Sequence, residues 1–139
     1  MARTDKFRRQ HEEILVLARK IAALLGETIP IEDASLIRSL MLQLSGKVTM
    51  HLAMEDKSFY PSLVDSHDSS VRSLAKEYMD EMGVLATTFG HYMTSWTSAG
   101  AISDAAAAFS VETKNLFNAL SKRIARENKH LYDLVDAMP

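Results

Sequence analysis

The stretch Glu32–Val64, EDASLIRSLMLQLSGKVTMHLAMEDKSFYPSLV, decides the fold. Leu36, Leu40, Leu44, Val48 and Leu52 follow one another at steps of four, which lays apolar side chains along one side of an α-helix. The spacing predicts a long helix over 32–64, with Pro61 kinking it or loosening its last turns. His51 continues the Leu40–Leu44–Val48 series and is expected at or beside the buried seam, with Glu55 one turn further along the same side.

The segments on either side repeat the pattern. From Thr4 to Leu25, Phe7, Ile14, Leu17, Ala18, Ile21 and Leu24 recur at spacings of three and four, a first helix for which Gly26 is a natural left-handed stop. Asp65-Ser-His-Asp-Ser-Ser is a polar turn rich in capping residues, ahead of a third helix over 70–96. Thr97–Asp104 reads as the next connection, with Ser103 a candidate N-cap for a fourth helix over 104–137. Four long helices with short links predict an all-α, up-down-up-down four-helix bundle, one domain over 1–139.

Composition agrees and narrows the function. The 139 residues are 47% apolar, with 5 glycines and 3 prolines, so turns are few. Sixteen basic and 18 acidic residues, net charge −2, are spread along the chain and offer neither a basic face for nucleic acid nor a polybasic membrane anchor. The absence of cysteine excludes disulfides, iron–sulfur clusters and thiolate zinc sites. The charged start and the lack of an apolar span point to a cytoplasmic protein. With no nucleophile–base pair and no phosphate-binding glycine loop in evidence, a binding protein is expected rather than an enzyme. Met50, Met54, Met79 and Met82 read as adaptable core filler, and Tyr92 and Trp96 as a cap on the bundle end. A homodimer or another protein partner is left open.

Polar residues interrupt the apolar stripes. His51 and Glu55, four apart, form a two-toothed site for a divalent cation such as iron, manganese or zinc, though the same spacing is common on exposed helix surfaces. His11 sits four residues after Phe7 and three before Ile14; alone it would be read as a satisfied core histidine, and beside His51 and Glu55 as a ligand. On the fourth helix Leu116, Leu120, Arg123, Glu127 and Leu131 share a face, which places an Arg and a Glu within it. His67, His91 and His130 are not expected to bind metal in the core.

Taken together, Gln10-His11-Glu-Glu-Ile14 and His51-Leu-Ala-Met-Glu55-Asp-Lys-Ser-Phe-Tyr-Pro61 resemble the hemerythrin-like, or HHE cation-binding, family. The resemblance implies a four-helix bundle that holds two irons, with histidines from pairs of helices and carboxylates from the second and fourth bridging the ions. It also implies roles in oxygen binding, oxygen or redox sensing, iron handling, or protection from nitric oxide and peroxide. His11, His51 and Glu55 fall on the ligand positions of one iron, and Glu127 on the carboxylate of the fourth helix. Met82 and Arg123 stand where histidines of the second iron would be, and neither thioether nor guanidinium suits that ion.

Two functions follow. In the first, His11, His51, Glu55 and Glu127 hold one metal ion, iron or else manganese or zinc, with a position open to a small diatomic ligand. In the second, the site is metal-free, Arg123 takes both carboxylates in its fork, and the bundle is a regulatory or interaction module.

Overall fold

The computed structural model describes residues 4–138; Met1, Ala2, Arg3 and Pro139, the outermost parts of the expected domain, lie outside it. Helix α1 runs Asp5–Ala22. Helix α2 runs Ile31–Met54 and continues through a π-helical turn, Glu55–Phe59, into Tyr60–Val64. Helix α3 is Ser69–Ser95, and α4 is a short helix, Ala99–Asp104. Helix α5 runs Ala106–Arg126 and continues through a second π-helical turn, Glu127–Tyr132, into Asp133–Asp136. There is no strand among the described residues.

Side-chain pairings set the directions. Thr4 bonds to Asp136 while Gly26 bonds to Ser110, so α1 and α5 are antiparallel. Gln10 meets His51 and Glu13 meets Lys47, which makes α1 and α2 antiparallel. Arg38 donates to the Trp96 carbonyl, Tyr78 reaches the Arg126 carbonyl and Tyr92 the Thr113 hydroxyl, so α3 opposes both α2 and α5. This is the expected up-down-up-down bundle. It also makes α2 and α5, the two glutamate-bearing helices, parallel.

Several details differ from expectation. Leu36 is 50% exposed, whereas Ile37 and Met41 are fully buried. Each step of four drifts about 40° around a helix, so a ladder of five leucine-like positions cannot stay on one face. Helix α1 stops at Ala22, and Gly26 is not left-handed; its N–H and C=O are both engaged by the Ser110 hydroxyl. The link over 97–104 is itself helical: Ser98 caps α4 by accepting from Ala101 N–H, and Ser103 instead donates to the Ile29 carbonyl. Met50 and Met79 are exposed, so only Met54 and Met82 of that group serve the interior. Trp96 does close the bundle end, edge-on to Phe109 with ring centroids 5.1 Å apart.

Apolar packing falls into two clusters. One gathers Ile14, Ile21, Ile37, Leu44, Phe109 and their neighbours, and the other gathers Phe7, Phe59, Leu63, Val71, Leu131 and Val135. Between them lies a buried polar layer of His11, His51, Glu55, Arg123 and Glu127. A charge buried without a partner is costly, so this layer is held together by its own contacts.

Candidate metal centre

The expected residues converge. His11, His51, Glu55 and Glu127 are all 3% exposed or less, and ligand atoms of His11, His51 and Glu127 lie within 4.8 Å of one another. His11 Nε2 is 3.0 Å from His51 Nε2, and Glu127 Oε1 is 3.6 Å from His11 Nε2. Glu55 stands outside that trio but touches it, with Oε1 3.0 Å from His51 Nε2. His67, His91 and His130 are exposed.

Neighbouring amides set which ring nitrogens are free. The Gln10 Oε1 lies 2.6 Å from His51 Nδ1, with Gln10 Nε2 turned to the Met54 sulfur. The Asn128 Oδ1 lies 2.9 Å from His11 Nδ1. An amide oxygen only accepts, so each Nδ1 carries a proton and each Nε2 is turned toward the centre of the site. Burial, with His11 beside it, lowers His51 to about 4, so the ring is neutral. The His51 Nε2 lone pair thus faces His11 Nε2, and Glu55 Oε1 beside them is the one buried side-chain polar atom among the described residues without a hydrogen bond.

The two carboxyl groups share one proton. Burial and the adjacent Glu127 charge push Glu55 up to about 10. Burial pushes Glu127 up as well, but hydrogen bonds from His11 and Glu55 and the Arg123 charge outweigh it and hold Glu127 well below the usual carboxylate range. Arg123 does not take both glutamates in its fork. It binds Glu127 Oε1 at 3.3 Å, Glu81 Oε2 at 3.2 Å, the Tyr60 hydroxyl at 3.1 Å and the Tyr78 carbonyl at 2.6 Å. Its second carboxylate is therefore Glu81 of α3, and Glu55 is left to His51 and Tyr132.

Tyr60 and Tyr132 were not singled out in the sequence. The Tyr60 hydroxyl donates to Glu127 Oε2 at 2.9 Å, and the Tyr132 oxygen lies 2.7 Å from Glu55 Oε2 and 3.3 Å from Glu127 Oε2. Burial beside the two glutamates raises both phenols. Each tyrosine ends a π-helical turn that begins at a glutamate, Glu55 to Tyr60 and Glu127 to Tyr132. In an α-helix, residues five apart are about 140° apart around the axis. The widened turn closes that angle and brings both ends to one site, and such bulges are frequent at functional sites. Pro61 has no N–H for the Lys57 carbonyl, which favours the wider turn in α2. The available signal was the repeat His51-x3-Glu55-x4-Tyr60 and Arg123-x3-Glu127-x4-Tyr132 in two parallel helices.

Donor spacing tests whether these residues suit an ion. Ligands bound at about 2.1 Å are about 3.0 Å apart at right angles and about 3.4 Å apart at the tetrahedral angle. The separations of 3.0, 3.0 and 3.6 Å match one such sphere. A second sphere does not fit. Met82 is buried without a donor for a hard cation, and the Arg123 guanidinium already neutralises that end of the layer. The model of the hemerythrin HHE cation binding domain matches residues 2–135. The chain belongs to that family. Neither a curated protein nor a solved structure matches it. Within the hemerythrin family metal binding is the general function, and His11, His51 and Glu127 of this member are close enough together to face one ion. No helix among the described residues is long and apolar enough to cross a membrane.

The protonated Glu55 has a measurable consequence in the metal-free protein. The folded chain keeps the Glu55 proton up to about 10, whereas the unfolded chain releases it in the ordinary carboxylate range. Between those values the unfolded state binds fewer protons, so the contribution of Glu55 is full at low pH and falls as pH rises. Urea unfolding of chelator-treated protein at pH 6 and pH 9 is expected to show a larger loss for the wild type than for Glu55→Gln. Equal losses would show that Glu55 is ionised in the fold.

Proposed function

We propose that this chain holds one iron ion through His11, His51, Glu55 and Glu127 and acts in oxygen, nitric oxide or redox sensing or in iron handling. The observation that carries the reading is the meeting of two imidazole Nε2 atoms at 3.0 Å, with both Nδ1 sides taken by amide oxygens and Glu55 Oε1 unsatisfied beside them. Ligating histidines characteristically donate their other N–H to such an acceptor. A cation in that position engages both imidazole nitrogens and satisfies Glu55 Oε1, the one buried polar atom among the described residues left without a partner.

Two imidazoles and a carboxylate are the donor set of non-haem ferrous centres; manganese and zinc accept it too. When bound, the ion supplies a Lewis-acidic position for a small ligand. A cavity of about 30 Å³, lined by His11, His51, Met82, Leu85, Phe89 and Leu120, adjoins the site. That volume admits a water or a diatomic molecule and little more, which favours sensing over handling. The metal-free alternative accounts for the Arg123 half of the layer, where the contacts are satisfied, but not for the histidine half. As proposed, the chain is a binding protein rather than an enzyme.

Anaerobic equilibrium dialysis against ferrous ion tests the ligand set. Wild type is expected to retain about one equivalent, and His51→Ala, shown folded by circular dichroism, less than a tenth of that. Full uptake by His51→Ala would overturn the assignment.

A further inference from the structure

We propose that Tyr132 is a further ligand, supplying a phenolate oxygen when the ion is ferric; the inference rests on the one-ion reading above. The Tyr132 oxygen is 3.4 Å from the His11 Nε2 donor, a spacing found within one coordination sphere, and it lies 2.7 Å from Glu55 Oε2 and 3.3 Å from Glu127 Oε2, the second oxygens of the two carboxylates. The side chain has no freedom to be elsewhere. It is fully buried, its ring stacks on His11 at 5.2 Å and 16°, and Phe59 meets it edge-on at 5.4 Å. The π-helical turn that starts at Glu127 is what carries it there.

Charge favours the same arrangement. A ferric ion with Glu55 and Glu127 as carboxylates leaves one positive charge buried a short way from the guanidinium of Arg123. A phenolate brings the ion and its ligands to neutrality, which a water-poor interior requires. On ligation an iron–oxygen bond forms, the phenol O–H bond breaks, and its proton passes to the buffer; no electron moves. Tyr60 is differently placed. Its hydroxyl accepts from Arg123 Nη2 at 3.1 Å and donates to Glu127, on the side of the layer that the guanidinium already serves. The two tyrosines share a spacing from their glutamates but not a role.

Phenolate bound to ferric iron gives a visible charge-transfer band and tyrosine ring modes in resonance Raman spectra excited within it. The test loads the full chain with ferric nitrilotriacetate, removes excess by desalting, and records bound iron, the visible spectrum and the Raman spectrum. Wild type and Tyr60→Phe are expected to be coloured, with ring modes. Tyr132→Phe is expected to lose at least nine-tenths of the band while keeping iron. One equivalent of iron without the band in wild type, or a band that survives Tyr132→Phe, overturns the phenolate and leaves the one-ion reading standing. Failure to take up either ferrous or ferric iron overturns both. Should Tyr132→Phe not fold, the Raman spectrum of wild type decides alone.

Discussion

Arg123→Ala is expected to lower the stability of the metal-free protein by about 3–5 kcal/mol, because it leaves a buried carboxylate without its counter-charge. Arg123 is 7% exposed and Glu127 is 3% exposed. The same guanidinium lies over the Tyr78 ring at 4.6 Å and donates to the Tyr78 carbonyl and the Tyr60 hydroxyl, so its loss strips several buried acceptors at once. Arg126 is the control. It binds Glu81 at 2.6 Å and also lies over Tyr78, but its side chain is 41% exposed, and Arg126→Ala is expected to cost no more than about 1 kcal/mol. Urea unfolding at pH 7 measures both. A cost for Arg123→Ala below about 0.5 kcal/mol, typical of surface positions, would contradict the buried network.

Ferrous ion at one hundred times its dissociation constant is expected to stabilise the fold by about 2.7 kcal/mol. For a chain of this length that is a rise of roughly 10 °C in Tm. Two features of the metal-free site favour tight binding: the His11 and His51 Nε2 atoms held 3.0 Å apart, and the unsatisfied Glu55 Oε1. The ion also displaces the proton of Glu55, so its affinity rises with pH. His11→Ala and Glu55→Gln are expected to shrink the rise to a few degrees. A Tm that is the same with and without ferrous ion, in wild type, would remove the physical basis for the site.

The bundle was readable because helical periodicity is a property of the chain itself. All four long helices lie where the apolar spacing puts them, with ends displaced by up to three residues. What periodicity missed was local. Leu36 belongs to the ladder in number but not in angle, and Ile37 and Met41 take its place in the core. The short α4 was hidden in an Ala, Ser and Gly stretch whose composition resembles a loop, and it is fastened by the Ser98 cap and the buried Ile102.

The site was legible as far as the α-helical period reached. His11, His51, Glu55, Arg123 and Glu127 all lie on stripes of spacing three and four, and all are buried. Tyr60 and Tyr132 lie five residues beyond a glutamate, a spacing that an α-helix turns away from the seam. Only the π-helical turns return them to it, and nothing in apolar spacing announces a π turn. The destination of the Arg123 fork was equally hidden, because its second carboxylate, Glu81, comes from a different helix. Gln10 and Asn128 act through tautomers, which become visible only once the rings are placed.

The number of iron ions per chain at saturation tests the central claim most directly. Protein purified without chelator, loaded anaerobically with ferrous ion, desalted and measured by elemental analysis is expected to hold one. Two ions per chain would mean that Arg123 yields its place to a second metal, and fewer than a tenth of an ion would mean that the histidine half binds none.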